Sequence, residues 1–139
     1  MTDKKTGVSL ADFDIDSLSE NAYEFELKHP VSGVSTGVFM SVIGDNSDAV
    51  IAASKKYFAA KAKFDETTQK RGKAVDYEQV FDTFEKRNIE MIASRIVGWR
   101  GINDFEYSRE NAMDLVKRWG WVQEQVLEES KELGNFIKA

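Results

Sequence analysis

Tyr23-Glu24-Phe25-Glu26-Leu27-Lys28 alternates apolar and charged residues, and a second run, Gly37-Val38-Phe39-Met40-Ser41-Val42, alternates again after a connection holding Pro30, Ser32 and Gly33. A period of two sends successive side chains to opposite faces of an extended chain. Each run therefore reads as a strand with one buried face. Pro, Ser and Gly between them favour a turn, so the pair predicts an antiparallel hairpin. An isolated hairpin is marginal in water, and its apolar face requires a helix or a second subunit as cover.

Working outward from the hairpin, Asp45-Asn46-Ser47-Asp48 offers side-chain acceptors for the free amides of a helix start. Val50, Ile51, Ser54, Tyr57, Phe58, Lys61 and Phe64 then recur at helical spacing, which predicts a helix from about Asn46 to Gln69, closed by Arg71-Gly72-Lys73. A second helix, from about Asp76 to Val97, carries Tyr77, Val80, Phe81, Phe84, Met91, Ile92 and Ile96 on one stripe, with Gly98 and Gly101 ending it. Ser108 caps a short helix from Arg109 to about Arg118 with Ala112, Leu115 and Val116 inward. The last helix, about Trp121 to Phe136, puts Val122, Val126, Leu133 and Phe136 on one side.

The expected fold is thus α+β and mostly helical: an N-terminal antiparallel β-hairpin followed by about four α-helices. Residues 20–139 form one compact domain, and residues 1–19, polar and acidic with scattered Phe13, Ile15 and Leu18, form a flexible arm.

Composition narrows the chemistry. A chain of 139 residues with 42% hydrophobic content suits one domain that hides roughly two-thirds of its unfolded surface. A net charge of -5 gives no attraction to nucleic acid or anionic membrane, so the expected partners are proteins. The polar start, Met1 to Gly7, and the lack of any membrane-length apolar run point to the cytosol. Without cysteine there are no disulfides, thiol nucleophiles or thiolate metal sites.

Asp12-Phe13-Asp14-Ile15-Asp16 spaces its carboxylates as a calcium loop does, but Ser17 stands where the turn needs glycine and Tyr23 where a closing glutamate belongs. His29, the sole histidine, sits in the hairpin turn beside Pro30 with no second histidine for zinc or acid–base work. There is no nucleophile elbow and no glycine-rich phosphate loop. Glu128 and Glu132 lie four apart, the pattern of a solvated helix face. The basic cluster Lys61, Lys63, Lys70, Arg71 and Lys73 is diluted by Asp65 and Glu66 and suits an acidic protein partner better than nucleic acid. The expectation is a protein that is not an enzyme and holds no metal or cofactor.

Aromatic residues crowd the final third: Trp99, Phe105, Tyr107, Trp119, Trp121 and Phe136. Each is either core or contact surface. Trp and Tyr near glycine-flanked helix ends are the residue types that anchor protein interfaces, so these six are the candidate partner-binding residues.

Ile96-Val97-Gly98-Trp99-Arg100-Gly101-Ile102, then Tyr107-Ser108-Arg109-Glu110-Asn111-Ala112 with Leu115, Trp121-Val122, Val126 and Asn135-Phe136, resembles the small tail assembly chaperones of long-tailed bacteriophages. Phe25-Glu26-Leu27-Lys28-His29-Pro30 to Gly33 and Gly44-Asp45-Asn46-Ser47-Asp48 extend the resemblance to roughly Phe25 to Phe136. It implies binding to the tape measure protein, keeping that long helical molecule soluble, and help in recruiting the tail tube protein. In many members the tube contact comes from a frameshifted longer product. It also implies self-association, work in the host cell cytoplasm, and absence from the mature virion. A different phage adaptor, such as a head-tail joining or regulatory subunit, fits the same composition.

Overall fold

The computed structural model describes residue 7 and residues 9–69 and 76–137. Its first half is built around the hairpin that the alternation predicts. Strand β1 (Tyr23–Lys28) runs antiparallel to β2 (Ser35–Val42), with Tyr23 opposite Val42 and Phe25 opposite Met40. His29 closes the turn: its Nδ1 accepts from the backbone N–H of Val31 and of Ser32, both at 3.2 Å. Past Glu26 the register slips. Gly37, at φ +83°, donates its N–H to the Glu26 carboxylate at 3.0 Å, and the Thr36 hydroxyl donates to the Leu27 carbonyl at 2.7 Å. Such a bulge bends the strand end and increases its twist.

The sheet has a third strand that periodicity alone assigned to helix. The second long helix, α3 (Tyr77–Ala93), stops at Ala93, and Ile96–Arg100 forms β3, antiparallel to β2 in the order β1-β2-β3. Ile96 and Val97 are therefore strand residues, and Gly98 lies within a strand. Ile89, Ile92 and Ile96 keep a helical interval in the sequence, which is why the stripe reads on. Two effects end the helix early. The Ser94 hydroxyl and the Arg95 guanidinium both donate to the Met91 carbonyl, at 2.6 and 2.8 Å, satisfying an acceptor that another turn would have used. The unpaired edge of β2 then offers Ile-Val-Gly-Trp, rich in strand-forming residues, a full ladder.

Helix α2 (Asp48–Gln69) starts within two residues of the expected position, although its first amide is met from elsewhere: the Asp48 N–H donates to the Glu20 carboxylate at 2.7 Å. Asp76 caps α3 through the Gln79 N–H at 3.0 Å, and Ser108 caps α4 (Arg109–Arg118) through the Asn111 N–H at 3.0 Å. The expected helix break at Arg71-Gly72-Lys73 lies outside the described residues. Helix α5 (Gly120–Lys131) ends five residues before the expected boundary, and a 3-10 turn, Leu133–Asn135, follows. That turn leaves Leu133 exposed and drives Phe136 inward against Tyr23.

Within the expected N-terminal arm, Leu10–Phe13 forms a 3-10 turn and Ile15–Leu18 one helical turn, α1, capped by the Asp14 carboxylate on the Ser17 N–H. Ser19, at the end of this stretch, is fully buried and its carbonyl accepts from the Gly44 N–H at 2.8 Å, while Leu10 and Phe13 stay exposed.

One face of the sheet is covered and the other is not. Phe25, Leu27, Met40, Val42 and Ile96 face a core completed by Ile89, Ile92 and Ala93 of α3, Ala112, Leu115 and Val116 of α4, Val122 and Val126 of α5, and Phe136. The open face is polar: the Glu24 carboxylate accepts from Arg100 Nη2 at 3.0 Å and Nε at 3.1 Å, and the Arg100 guanidinium lies 4.0 Å over the Phe39 ring. That hydrogen bond lowers the pKa of Glu24 and raises that of Arg100. Helix α2 buries Val50 near its start but adds nothing to the main cluster, and it packs on α3; the pair forms an antiparallel helical arm.

Both ends of the arm are pinned at one place. The Ile43 N–H donates to the Arg95 carbonyl at 2.8 Å, and the Arg95 guanidinium binds the Asp45 carboxylate at 2.8 and 3.3 Å. Ser130 of α5 donates its hydroxyl to the Ile43 carbonyl at 2.7 Å and its carbonyl accepts from the Asp45 N–H at 3.1 Å. The Arg95 side chain is 5% exposed and that of Asp45 34%. Losing the carboxylate strands a buried charge, whereas losing the guanidinium leaves a carboxylate that water reaches. Asp45→Ala is therefore expected to cost about 3 kcal/mol and Arg95→Met only about 1 kcal/mol, measured by urea unfolding; equal losses would refute the asymmetry.

Gly101 leaves β3 at φ +95°, and a Cβ there would strike the carbonyl oxygen of Gly37. Gly120 has nothing within 4 Å of the same position. Gly101→Ala is expected to lower stability by about 3 kcal/mol and the melting temperature by about 10 °C, while Gly120→Ala stays within about 0.5 kcal/mol of the parent. Thermal melts of the two variants side by side decide it.

Candidate protein-binding surface

Four of the six candidate aromatics assemble into one cluster, and the reason is the third strand. Trp99 lies opposite Met40 in the sheet, and the loop after Gly101 folds back over it. The Trp99 indole N–H donates to the Phe105 carbonyl at 2.8 Å, and the two rings stack with centroids 5.4 Å apart at 12°. Tyr107 meets Trp99 edge-on at 5.2 Å and donates its hydroxyl to the Ile96 carbonyl at 3.0 Å. Trp119 meets Phe105 edge-on at 6.2 Å, with the Arg118 guanidinium 5.0 Å over its own ring. The polar tips of Trp99 and Tyr107 are thus met by backbone carbonyls, and the ring faces hold the loop in place.

Trp99 and Phe105 are half-buried beside the core, and Tyr107 and Trp119 are exposed. Trp121 is exposed on the first turn of α5 and, among the described residues, joins none of these rings. Phe136 is only 1% exposed and belongs to the core. Its place among the contact residues is corrected: the 3-10 turn before it redirects the chain from the outer helix face into the sheet.

Beside the cluster runs a groove of about 380 Å³ that the sequence reading did not single out. Ala49, Ala52 and Ala53 of α2 form one wall, Ala93, Ile96 and Val97 the junction of α3 with β3, and Tyr107 and Met113 the far side. Lys56, Glu90 and Arg109 stand at its lip. Val97 is free to face it because β3 bulges there: Ser41 pairs with Gly98 and Val42 with Ile96, leaving Val97 without an opposite residue. The legible signal was the alanine spacing at 49, 52 and 53 with Lys56 one turn on, which lays small side chains along one face of α2. Its other wall depended on β3 and was not legible.

The polar residues weighed earlier turn out to do structural work. Asp14 caps α1, His29 closes the hairpin, and Glu132 accepts from the Gly134 N–H in the last turn. Among the described residues no group of His, Asp and Glu is arranged to hold a metal ion; the Asp12 side chain lies outside them. Among the described residues, the titratable groups with displaced proton affinity are Glu24 and Arg100 on the open sheet face, and Lys61, raised by its hydrogen bond to Asp65 on α2. None lines the groove. Of the basic cluster, Lys70, Arg71 and Lys73 lie outside the described residues. No helix among the described residues is long and apolar enough to cross a membrane.

No curated protein and no solved structure matches the chain. The family profile of the YdaY prophage protein matches residues 52–139, which takes in the arm from Ala52 onward, β3, the aromatic loop and both C-terminal helices. With well over half of its length under that match, the chain belongs to the YdaY prophage protein family.

Proposed function

We propose that this prophage protein is a binding protein without catalytic chemistry of its own, acting in phage morphogenesis as a tail assembly chaperone that holds a helical segment of the tape measure protein. The observation that carries the reading is the groove between α2, β3 and α4. It is apolar along its floor, lined by small residues that let another backbone come close, and edged by Lys56, Glu90 and Arg109. An amphipathic helix presents a matching apolar stripe flanked by charges of both signs, and helix-in-groove docking is the usual way such a stripe is covered. Tyr107 belongs to both groove and aromatic cluster, which gives the surface a rigid aromatic rim.

Membership of a prophage family supports a phage role, and the resemblance of the β3 and α4 segments to tail assembly chaperones supports the tape measure protein as the partner. Recruitment of the tail tube protein belongs to the same proposal. A head-tail joining or regulatory adaptor would use the same groove for a different helix.

Co-expression with the tape measure protein of the same prophage is expected to give a soluble complex that co-purifies. Ala52→Glu places a carboxylate in the groove wall at an exposed helix position, so the complex is lost while the melting temperature stays within a few degrees of the parent. Trp121→Ala is expected to weaken the complex more than it lowers the melting temperature. A tape measure protein that stays insoluble, or one bound as well by Ala52→Glu, would rule out this groove as the chaperone site.

A further inference from the structure

The groove between α2, β3 and α4 has three charged side chains at its lip, and they are not equivalent. Glu90 is already paired: its carboxylate accepts from the Arg87 guanidinium at 2.8 Å, one turn earlier on α3. Lys56 and Arg109 are exposed, and among the described residues neither has a hydrogen bond, an ion pair or a ring contact. They stand on different walls. Lys56 follows Ala52 and Ala53 by one turn of α2, whereas Arg109 is the first residue of α4, one turn before Met113. The lip thus holds a free cation on either side, and its acid is neutralised.

The hydroxyl groups lining the groove are engaged as well. Ser94 donates to the Met91 carbonyl at 2.6 Å and Tyr107 to the Ile96 carbonyl at 3.0 Å, so neither has its proton free for a guest. Among the described residues of the lining, the side-chain donors left are the Lys56 ammonium and the Arg109 guanidinium. A helix lying between them is held best when it carries a carboxylate on each shoulder of its apolar stripe. Lysines there would set like charges together, and uncharged shoulders would cover two cations without pairing them.

We infer that the partner of this groove is an amphipathic helix with acidic residues on both flanks of its apolar stripe, and that Lys56 and Arg109 select it. This rests on the groove being the docking site. The chain as a whole carries a net charge of -5 and repels an acidic guest at long range. Attraction must therefore arise locally, from these two cations within about 10 Å, the screening distance at ordinary salt. The two rims differ in how strictly they read a carboxylate. Arg109 can meet one with two parallel N–H groups and so fixes its orientation, whereas Lys56 meets one as a point charge.

Two synthetic peptides of about 18 residues, five turns of helix, test this by fluorescence anisotropy against the full chain. Both present the same leucine stripe, but one has glutamate at every shoulder position and the other lysine; like charges on both shoulders keep either peptide from pairing with itself. At about 50 mM sodium chloride the glutamate peptide is expected to bind about tenfold or more tightly than the lysine peptide, with the gap closing toward about 500 mM. Lys56→Glu combined with Arg109→Glu is expected to reverse the order without loss of helical circular dichroism, because both side chains are exposed and an acid in the first turn of α4 suits the helix dipole. Lys55→Glu changes the charge of α2 at an exposed position outside the groove lining, and the preference is expected to stay within about twofold of the parent. Equal binding of the two peptides that Ala52→Glu abolishes would overturn the acidic preference and leave the groove standing. A glutamate preference that survives the double variant would remove Lys56 and Arg109 as its source. If neither peptide binds the parent chain, or both bind Ala52→Glu as well, the groove and the inference fall together.

Discussion

The arm and the body of the protein are joined where Arg95 meets Asp45. Between these two residues the chain leaves the sheet, travels out along α2, returns along α3 and re-enters the sheet as β3. The ladder bond from Ile43 to Arg95 sets the two ends side by side, and the guanidinium–carboxylate pair holds them there, with Ser130 of α5 bracing the same point. Burying a guanidinium is costly unless it is paired, and here each of its three nitrogens donates once, two to the Asp45 carboxylate and one to the Met91 carbonyl. Three elements meet at this point: the end of α3, the start of β3 and the inner face of α5.

That clamp divides the molecule into a body and an arm with different sources of stability. The body owes its order to a sheet sealed on one face by α3, α4 and α5 around a single apolar cluster. In the arm, α2 is long, 22 residues, yet is held chiefly by ring contacts with α3 and by the Glu20 carboxylate at its first turn. Aromatic pairs contribute about 0.5–1.5 kcal/mol each beyond their buried area, enough to align two helices but not to bury a broad face. The outer sheet, where Glu24, Arg100 and Phe39 make a hydrated, charge-paired layer, is polar, whereas the arm leaves Phe58, Phe81 and Tyr77 exposed.

The arrangement also explains why the aromatic third of the chain is not simply more core. Trp99 is brought to the sheet edge by β3, and the loop to α4 wraps back on it through Phe105 and Tyr107. Rings, an indole N–H and a phenol O–H secure a loop that would otherwise have little backbone pairing, and in doing so they build one wall of the groove. Order in that loop and the shape of the groove therefore come from the same contacts.

From sequence alone, the hairpin and its register parity, the α4 boundaries with the Ser108 cap, the start of α3 near Asp76 and the α+β class were all legible, because each rests on local rules: side-chain alternation, helical spacing and a short polar side chain before a helix. The lack of cysteine and the single histidine fixed the available chemistry as well. Tertiary structure alone decided the fate of Ile96-Val97-Gly98-Trp99-Arg100, a stretch compatible with a helix by spacing and with a strand by residue type. The free edge of β2 settled it, and no window of neighbouring residues contains that edge. The same holds for Phe136, sent into the core by a 3-10 turn that begins two residues after Lys131, and for the groove, whose walls lie some forty residues apart in the chain and meet where α2 and α3 join the sheet.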